Sequence, residues 1–177
     1  MVTSIETSKQ DLLRDLLKQV SRLFYTTLAV VPADVRDQVS LAYLLARAAD
    51  TIADTELIDL PRRLDLLGQL KAQFVSDQIA WAQVREIQQA VGPIQQNSAE
   101  RILLERLEDC FKLFQTFSPD DRRRVQRLMT TLTQGMEMDS PSFQARRRKI
   151  SRPSRRSTIW TAIPITSLAV WATSGQI

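Results

Sequence analysis

Apolar residues recur every three or four positions along much of the chain, which is the period of an α-helix with one buried face. The first run extends from about Lys9 to Val31, and its apolar positions are Leu12, Leu13, Leu16, Leu17, Val20, Leu23 and Phe24. Pro32 breaks this run and opens a second helix that reaches about Thr55. No stretch shows the alternation of apolar and polar residues that is typical of a strand. The pattern therefore predicts an all-α fold.

Start signals predict three further helices. Asn97 with Glu100 three residues later is a capping box, in which the two side chains satisfy free backbone N–H groups at a helix start. Ser118 before a proline, with Asp121 in the first turn, marks another start. The predicted spans are about 61–76, 97–117 and 118–139. Residues 1–145 are therefore predicted to form one helical bundle domain.

Composition excludes several kinds of chemistry. The 177 residues include no histidine, which removes Ser–His–Asp catalysis and imidazole metal sites. Cys110 is the sole cysteine, so the chain has no internal disulfide and suits a reducing compartment. Four glycines leave no room for a Gly-rich phosphate loop. With no signal peptide at the N-terminus, the expected location is the cytoplasm, and chemistry is left to carboxylates, arginines, hydroxyls and hard cations.

The basic charge is confined to the C-terminal segment. Seven of the 24 basic residues and none of the 20 acidic ones lie in residues 146–177, so residues 1–145 carry a net charge of −3. Residues 146–156 are the basic cluster, and residues 157–177 carry no charge. A C-terminal membrane anchor is one interpretation, although eight Ser, Thr and Pro residues make the segment only moderately apolar. RNA binding by the basic cluster is the weakest interpretation of this segment, since runs of like charge are usually solvated. No nucleic-acid partner is expected.

The most informative stretch is the predicted second helix. Tyr43, Arg47, Asp50 and Asp54 recur at steps of four, three and four, so they share one face of an otherwise apolar helix. Two carboxylates one turn apart suit Mg²⁺ bound together with a substrate phosphate, and Arg47 could hold that phosphate. The alternative is an internal ion pair of Arg47 with Asp50 or Asp54. The spacing does not separate the two interpretations.

Three separated motifs resemble the squalene and phytoene synthases. They are SRLFYTTLAVVP at 21–32, AYLLARAADTIADT at 42–55 and LTQGMEMD at 132–139. The resemblance covers about residues 8–140. It implies an isoprenoid-synthase-type helical bundle, of which this chain would hold about the N-terminal half, because the family's tyrosine helix and second aspartate-rich motif are not legible after Asp139.

The resemblance also implies a role for each matching residue. The expected metal ligands and catalytic groups are Asp50 and Asp54, with Arg47 on the diphosphate; the other expected substrate contacts are Ser21, Arg22, Phe24 and Tyr43. Taken from the residues alone, Phe24 is as well explained as part of the core. Ser21 and Arg22 could likewise be a solvated helix face.

The family's activity would be the head-to-head condensation of two prenyl diphosphates with Mg²⁺. The sequence of residues 43–54 resembles the squalene synthases more than the phytoene synthases. This favours farnesyl diphosphate as the substrate and squalene as the product, formed through a cyclopropyl intermediate that NADPH reduces. Phytoene synthesis from geranylgeranyl diphosphate is the alternative within the family. Outside it, the chain could be a non-catalytic helical module whose tail docks on a membrane or partner. Peripheral membrane association and the oligomeric state are left open.

The tail is compatible with a shift of the reading frame. Joining each codon's third base to the next two bases of residues 157–177 permits DDLDRYPYHLAGCVGDFWTD, which resembles the family's tyrosine helix. Trp160 before Thr161 forces an Asp, and Trp171 before Ala172 forces a Gly, both where the motif needs them. We therefore predict a frame slip between about residues 140 and 157, and a chain inactive by itself. Resequencing the DNA from the Leu132 codon tests this, since an unbroken frame with no motif in either frame downstream would contradict it.

Overall fold

The computed structural model describes residues 9–76 and 78–139, and every regular element within these two ranges is helical. The π-helical turn Asp11–Leu16 continues as the α-helix Leu17–Val20, together α1. The other helices are α2 (Arg22–Thr27, extended by the 3₁₀ turn Leu28–Val30), α3 (Ala33–Asp54), α4 (Leu60–Val75), α5 (Trp81–Val91, extended by the 3₁₀ turn Gly92–Ile94), α6 (Ser98–Glu105), α7 (Leu107–Gln115) and α8 (Pro119–Asp139). The predicted all-α class is confirmed.

Helix α3 lies at the centre and packs against α1, α4, α6, α7 and α8. Its alanines let the neighbouring helices approach closely, and its leucines fill the space between them. Leu41, Leu44, Leu45 and Ile52 are each 0% exposed. Burial of each such side chain contributes about 1.5–3 kcal/mol to folding. The position of any polar side chain on α3 is therefore held firmly by the core.

The first predicted helix is not continuous, because the chain breaks at Ser21. Ser21 has extended backbone angles (φ −154°, ψ 99°), and its Oγ accepts a hydrogen bond of 3.2 Å from the Phe24 N–H. A serine hydroxyl at this position caps a new helix better than it continues the old one. The prediction of one helix over 9–31 was wrong, and the break separates α1 from α2.

The prediction for 97–117 was also too long, and one helix was missed. Arg106 (φ −101°, ψ 15°) interrupts the span and divides it into α6 and α7. Helix α5 has no side-chain cap of its own. Its start is instead held by Gln73 of α4, whose Oε1 accepts a 2.8 Å hydrogen bond from the Ala80 N–H. A start signal supplied by another helix cannot be read from the local sequence.

The remaining predicted helices are confirmed. Pro32 precedes α3. The helix predicted over 61–76 begins at Leu60, and the helix predicted over 118–139 begins at Pro119. Among the described residues no helix is long and apolar enough to cross a membrane. The division at residues 145 and 146, the basic cluster, the uncharged tail and the proposed frame slip lie outside the described residues.

Candidate active site

The polar face of α3 meets α6 through Arg47. Its Nη1 donates to Asp50 Oδ2 at 3.0 Å, and its Nη2 donates to Glu100 Oε1 on α6 at 2.5 Å. Desolvation opposes the charge on Arg47, but the hydrogen bond and charge of Glu100, followed by the charge of Asp50, raise the pKa of the guanidinium above its usual value. In this structure Arg47 thus forms the ion pair with Asp50 that one interpretation of the sequence predicts, and it forms a second ion pair with Glu100.

Asp54 lies one turn beyond Asp50, at the last residue of α3. Desolvation by the surrounding protein raises the pKa of its carboxyl, opposed by the charge of Arg47 and increased by that of Glu100. The weaker influence of Arg63 lowers the same pKa. Arg63 Nη1 donates at 2.9 Å to the Ala53 carbonyl, so this cation lies at the C-terminal end of α3, where the helix dipole favours positive charge.

An aromatic pair continues this face toward the start of α3. The rings of Phe24 and Tyr43 are stacked, with centroids 3.8 Å apart and planes inclined by 13°. Ser21 lies at the base of the pair because its Oγ caps the turn that carries Phe24. Both rings are half-buried and pack against the core, so Phe24 is a core residue and yet also adjacent to the polar face. Leu23 beside it is 80% exposed.

The structure thus brings together most of the predicted site residues. Six of them lie on one continuous strip formed by α3 and the start of α2; they are Ser21, Phe24, Tyr43, Arg47, Asp50 and Asp54. Arg22 is exposed, and no described side chain pairs with its guanidinium. Sequence reasoning missed Glu100 and Arg63 as members of the site. Glu100 was visible only as a capping residue, and Arg63 only as one of two adjacent arginines.

The fit of Mg²⁺ can be judged from the donors on this strip. Within residues 9–76 and 78–139, no three acidic, cysteine or histidine side chains are grouped closely enough to hold a metal ion by themselves. Mg²⁺ often takes only one or two carboxylates and completes its shell with water and substrate phosphate. Asp50 and Asp54 suit that arrangement, because they lie one turn apart on α3, with Asp50 largely buried and Asp54 exposed at the last residue of the helix. The donor set fits a substrate-bridged ion rather than a fully protein-bound one.

A separate cleft of about 440 Å³ lies at the other end of α3. It is lined by α1, α2 and the start of α3, including Arg14, Tyr25 and Arg36. None of the predicted site residues lines it. This cleft is therefore not the cavity of the candidate site.

Comparisons with known proteins identify the family of this chain. The family model "Squalene/phytoene synthase" matches residues 17–148, which include α2, α3 and every site residue. A bifunctional lycopene cyclase/phytoene synthase of Blakeslea trispora is 40% identical over 63 residues, or 36% of this chain and 10% of the fungal protein. No solved structure gives a significant match. Because the family model covers well over half of its residues, the chain belongs to the squalene/phytoene synthase family.

Proposed function

We propose that this chain carries the diphosphate-binding and Mg²⁺-binding face of a head-to-head prenyl transferase of isoprenoid biosynthesis. The observation that carries the proposal is the strip formed by α3 and the start of α2, where the carboxylates of Asp54 and Asp50, the guanidinium of Arg47 and the stacked rings of Tyr43 and Phe24 follow one another. Ionisable groups on a core helix are costly unless a polar partner faces them. A metal–diphosphate group is a partner with the matching charges.

Each part of the strip has a role in this proposal. Asp50 and Asp54 would hold Mg²⁺, which when bound neutralises the diphosphate and stabilises it as a leaving group. Arg47 would donate to diphosphate oxygens, a charge-assisted contact that strengthens as negative charge develops on them. The stacked faces of Phe24 and Tyr43 lie next along the helix, and aromatic faces stabilise nearby cations. The allylic cation would form there, one helical turn from the leaving group.

Of the two products of this family, we propose squalene. The substrate would be farnesyl diphosphate, two copies of which would condense through a cyclopropyl intermediate, with NADPH supplying the final hydride. This preference rests on the amino-acid sequence of residues 43–54, YLLARAADTIAD. The relative from Blakeslea trispora favours the alternative of phytoene from geranylgeranyl diphosphate, since its name includes that activity.

The proposal is tested by ligand binding to the complete 177-residue chain. Equilibrium dialysis with labelled farnesyl and geranylgeranyl diphosphates, each with Mg²⁺ and with EDTA, measures the dissociation constants. We expect binding that requires Mg²⁺ and is competed by inorganic diphosphate, and tighter binding of the farnesyl compound. Farnesol is the control for purely apolar binding. Equal retention of farnesol and farnesyl diphosphate, or binding indifferent to EDTA, would contradict the proposal.

A second candidate function is a non-catalytic helical module. The observation that favours it is that Arg47 is paired with two carboxylates of the chain itself, those of Asp50 and Glu100. In that case the polar face is a structural ion-pair network, and the same dialysis experiment should detect no Mg²⁺-dependent binding of either prenyl diphosphate.

A further inference from the structure

We propose that Glu100 is a positioning residue of this site: it holds Arg47 in place while Asp50 leaves the arginine to bind the metal. This inference rests on the proposed function. Glu100 is on α6, 53 positions from Arg47, and its Oε1 accepts from Nη2 at 2.5 Å. The two side chains are only 28% and 15% exposed, so the pair is largely removed from water.

The carboxylate of Glu100 does not serve the capping role that its sequence position suggests. The start of α6 is capped by Asn97 alone, whose Oδ1 accepts from the N–H groups of Ala99 at 3.0 Å and Glu100 at 3.4 Å. Glu100 Oε1 instead receives Arg47 Nη2 and, more weakly, Asn97 Nδ2 at 3.3 Å. Asn97 thus braces the same oxygen that holds the arginine. Asn97 therefore caps α6 with its Oδ1 and supports the Glu100 carboxylate with its Nδ2.

The need for such a residue follows from the two demands on Asp50. In the structure Asp50 Oδ2 accepts a hydrogen bond from Arg47 Nη1, yet the proposed function requires that carboxylate for Mg²⁺. Once it turns to the metal, Arg47 loses one of its two partners, and its buried Nε already has no partner among the described residues. An unpaired buried guanidinium is costly and would move away. Glu100 keeps the charge compensated on the Nη2 side, which leaves Nη1 for a diphosphate oxygen.

A second arginine provides a matched control with the same connections. Arg62 Nη1 pairs with Asp65 at 2.6 Å, also three residues later, and its Nη2 pairs with Glu86 of the next helix at 2.7 Å. This exposed network, the Arg62 network, copies the pattern of Arg47, Asp50 and Glu100 away from the site. A variant that removes Glu86 therefore measures the loss of an interhelical ion pair, a more exposed one, that includes none of Arg47, Asp50 and Glu100.

The test compares Glu100→Gln, Glu100→Asp and Glu86→Gln in the complete chain, by dialysis with labelled farnesyl diphosphate at saturating Mg²⁺. Charge-assisted pairs of this kind are worth enough that we expect Glu100→Gln to weaken binding about tenfold. Glu100→Asp keeps the charge and should recover part of the affinity, and it remains informative if Glu100→Gln does not fold. Glu86→Gln should bind as the wild type does.

A double-mutant cycle separates positioning from a general structural effect. In an Arg47→Ala background Glu100 has no arginine to hold, so Glu100→Gln should cause no further loss of affinity. A further loss of the same size in that background would overturn the proposal. If the wild type binds and Glu100→Gln binds with the same affinity, the role of Glu100 is overturned and the proposed function stands. No Mg²⁺-dependent binding by the wild type would overturn the proposed function and this role together.

Discussion

Asp54→Asn is expected to remove Mg²⁺-dependent binding of farnesyl diphosphate, with a loss of at least about a hundredfold in affinity, or roughly 2.7 kcal/mol. The substitution keeps the shape of the side chain but replaces an anionic oxygen by a neutral amide, and hard cations depend on carboxylate ligands. Asp50→Asn should lose binding to a similar extent. Dialysis with labelled ligand, with and without Mg²⁺, measures both variants.

The fold of Asp54→Asn should survive, because the carboxylate does not stabilise the ligand-free protein. Desolvation raises the pKa of Asp54 above its ordinary value. A carboxyl whose pKa is higher in the folded than in the unfolded state disfavours folding when it is charged, and this effect disappears as the pH falls below the ordinary pKa. At neutral pH the variant should therefore unfold at the same or a higher urea concentration than the wild type.

The control is Asp65→Asn in the Arg62 network, which removes a carboxylate with the same i,i+3 relation to an arginine as Asp50 has. It should leave ligand binding unchanged. Equal losses in Asp65→Asn and Asp54→Asn, or normal Mg²⁺-dependent binding by Asp54→Asn, would show that α3 does not carry the metal site.

The second large effect is expected in the core. Phe74 of α4 is 2% exposed, and its ring lies 5.4 Å from that of Phe111 and 6.1 Å from that of Phe114, both on α7. Phe74→Ala removes most of the side chain from this tightly packed cluster. We expect the free energy of unfolding to fall by about 3–5 kcal/mol, as measured by urea denaturation followed by circular dichroism.

The neighbouring residue provides the control for this prediction. Val75 is 70% exposed on the same helix, so Val75→Ala should change the free energy of unfolding by less than about 0.5 kcal/mol. A loss below about 1 kcal/mol in Phe74→Ala would mean that the aromatic cluster between α4 and α7 does not hold the bundle together.

The sequence predicted correctly those features that depend on residues within a single helix. The steps of four, three and four that place Tyr43, Arg47, Asp50 and Asp54 on one face are a property of helical geometry alone. The proline before α3 and the cap at Asn97 act within a few residues. The Ser21 break was a local signal of the same kind, but the strong apolar period on both sides outweighed it in the prediction.

Contacts between helices could not be read in this way. The start of α5 depends on Gln73 of α4, and the stacking of Phe24 on Tyr43 depends on the angle at which α2 meets α3. The sequence left two interpretations of Arg47 open because it offered only the carboxylates of the same helix, Asp50 and Asp54. Its shortest contact, to Glu100, is 53 residues away.

The sequence by itself determined the all-α class, the central apolar helix, the polar strip on α3 and the family. These follow from the helical period and from short motifs, in which each residue acts on near neighbours along the chain. Only the tertiary structure decided that Glu100 leaves its capping role to pair with Arg47, and that Arg63 lies at the end of α3. Such pairings are decided by how the helices pack, since packing brings distant residues within the few ångströms over which ion pairs and hydrogen bonds act.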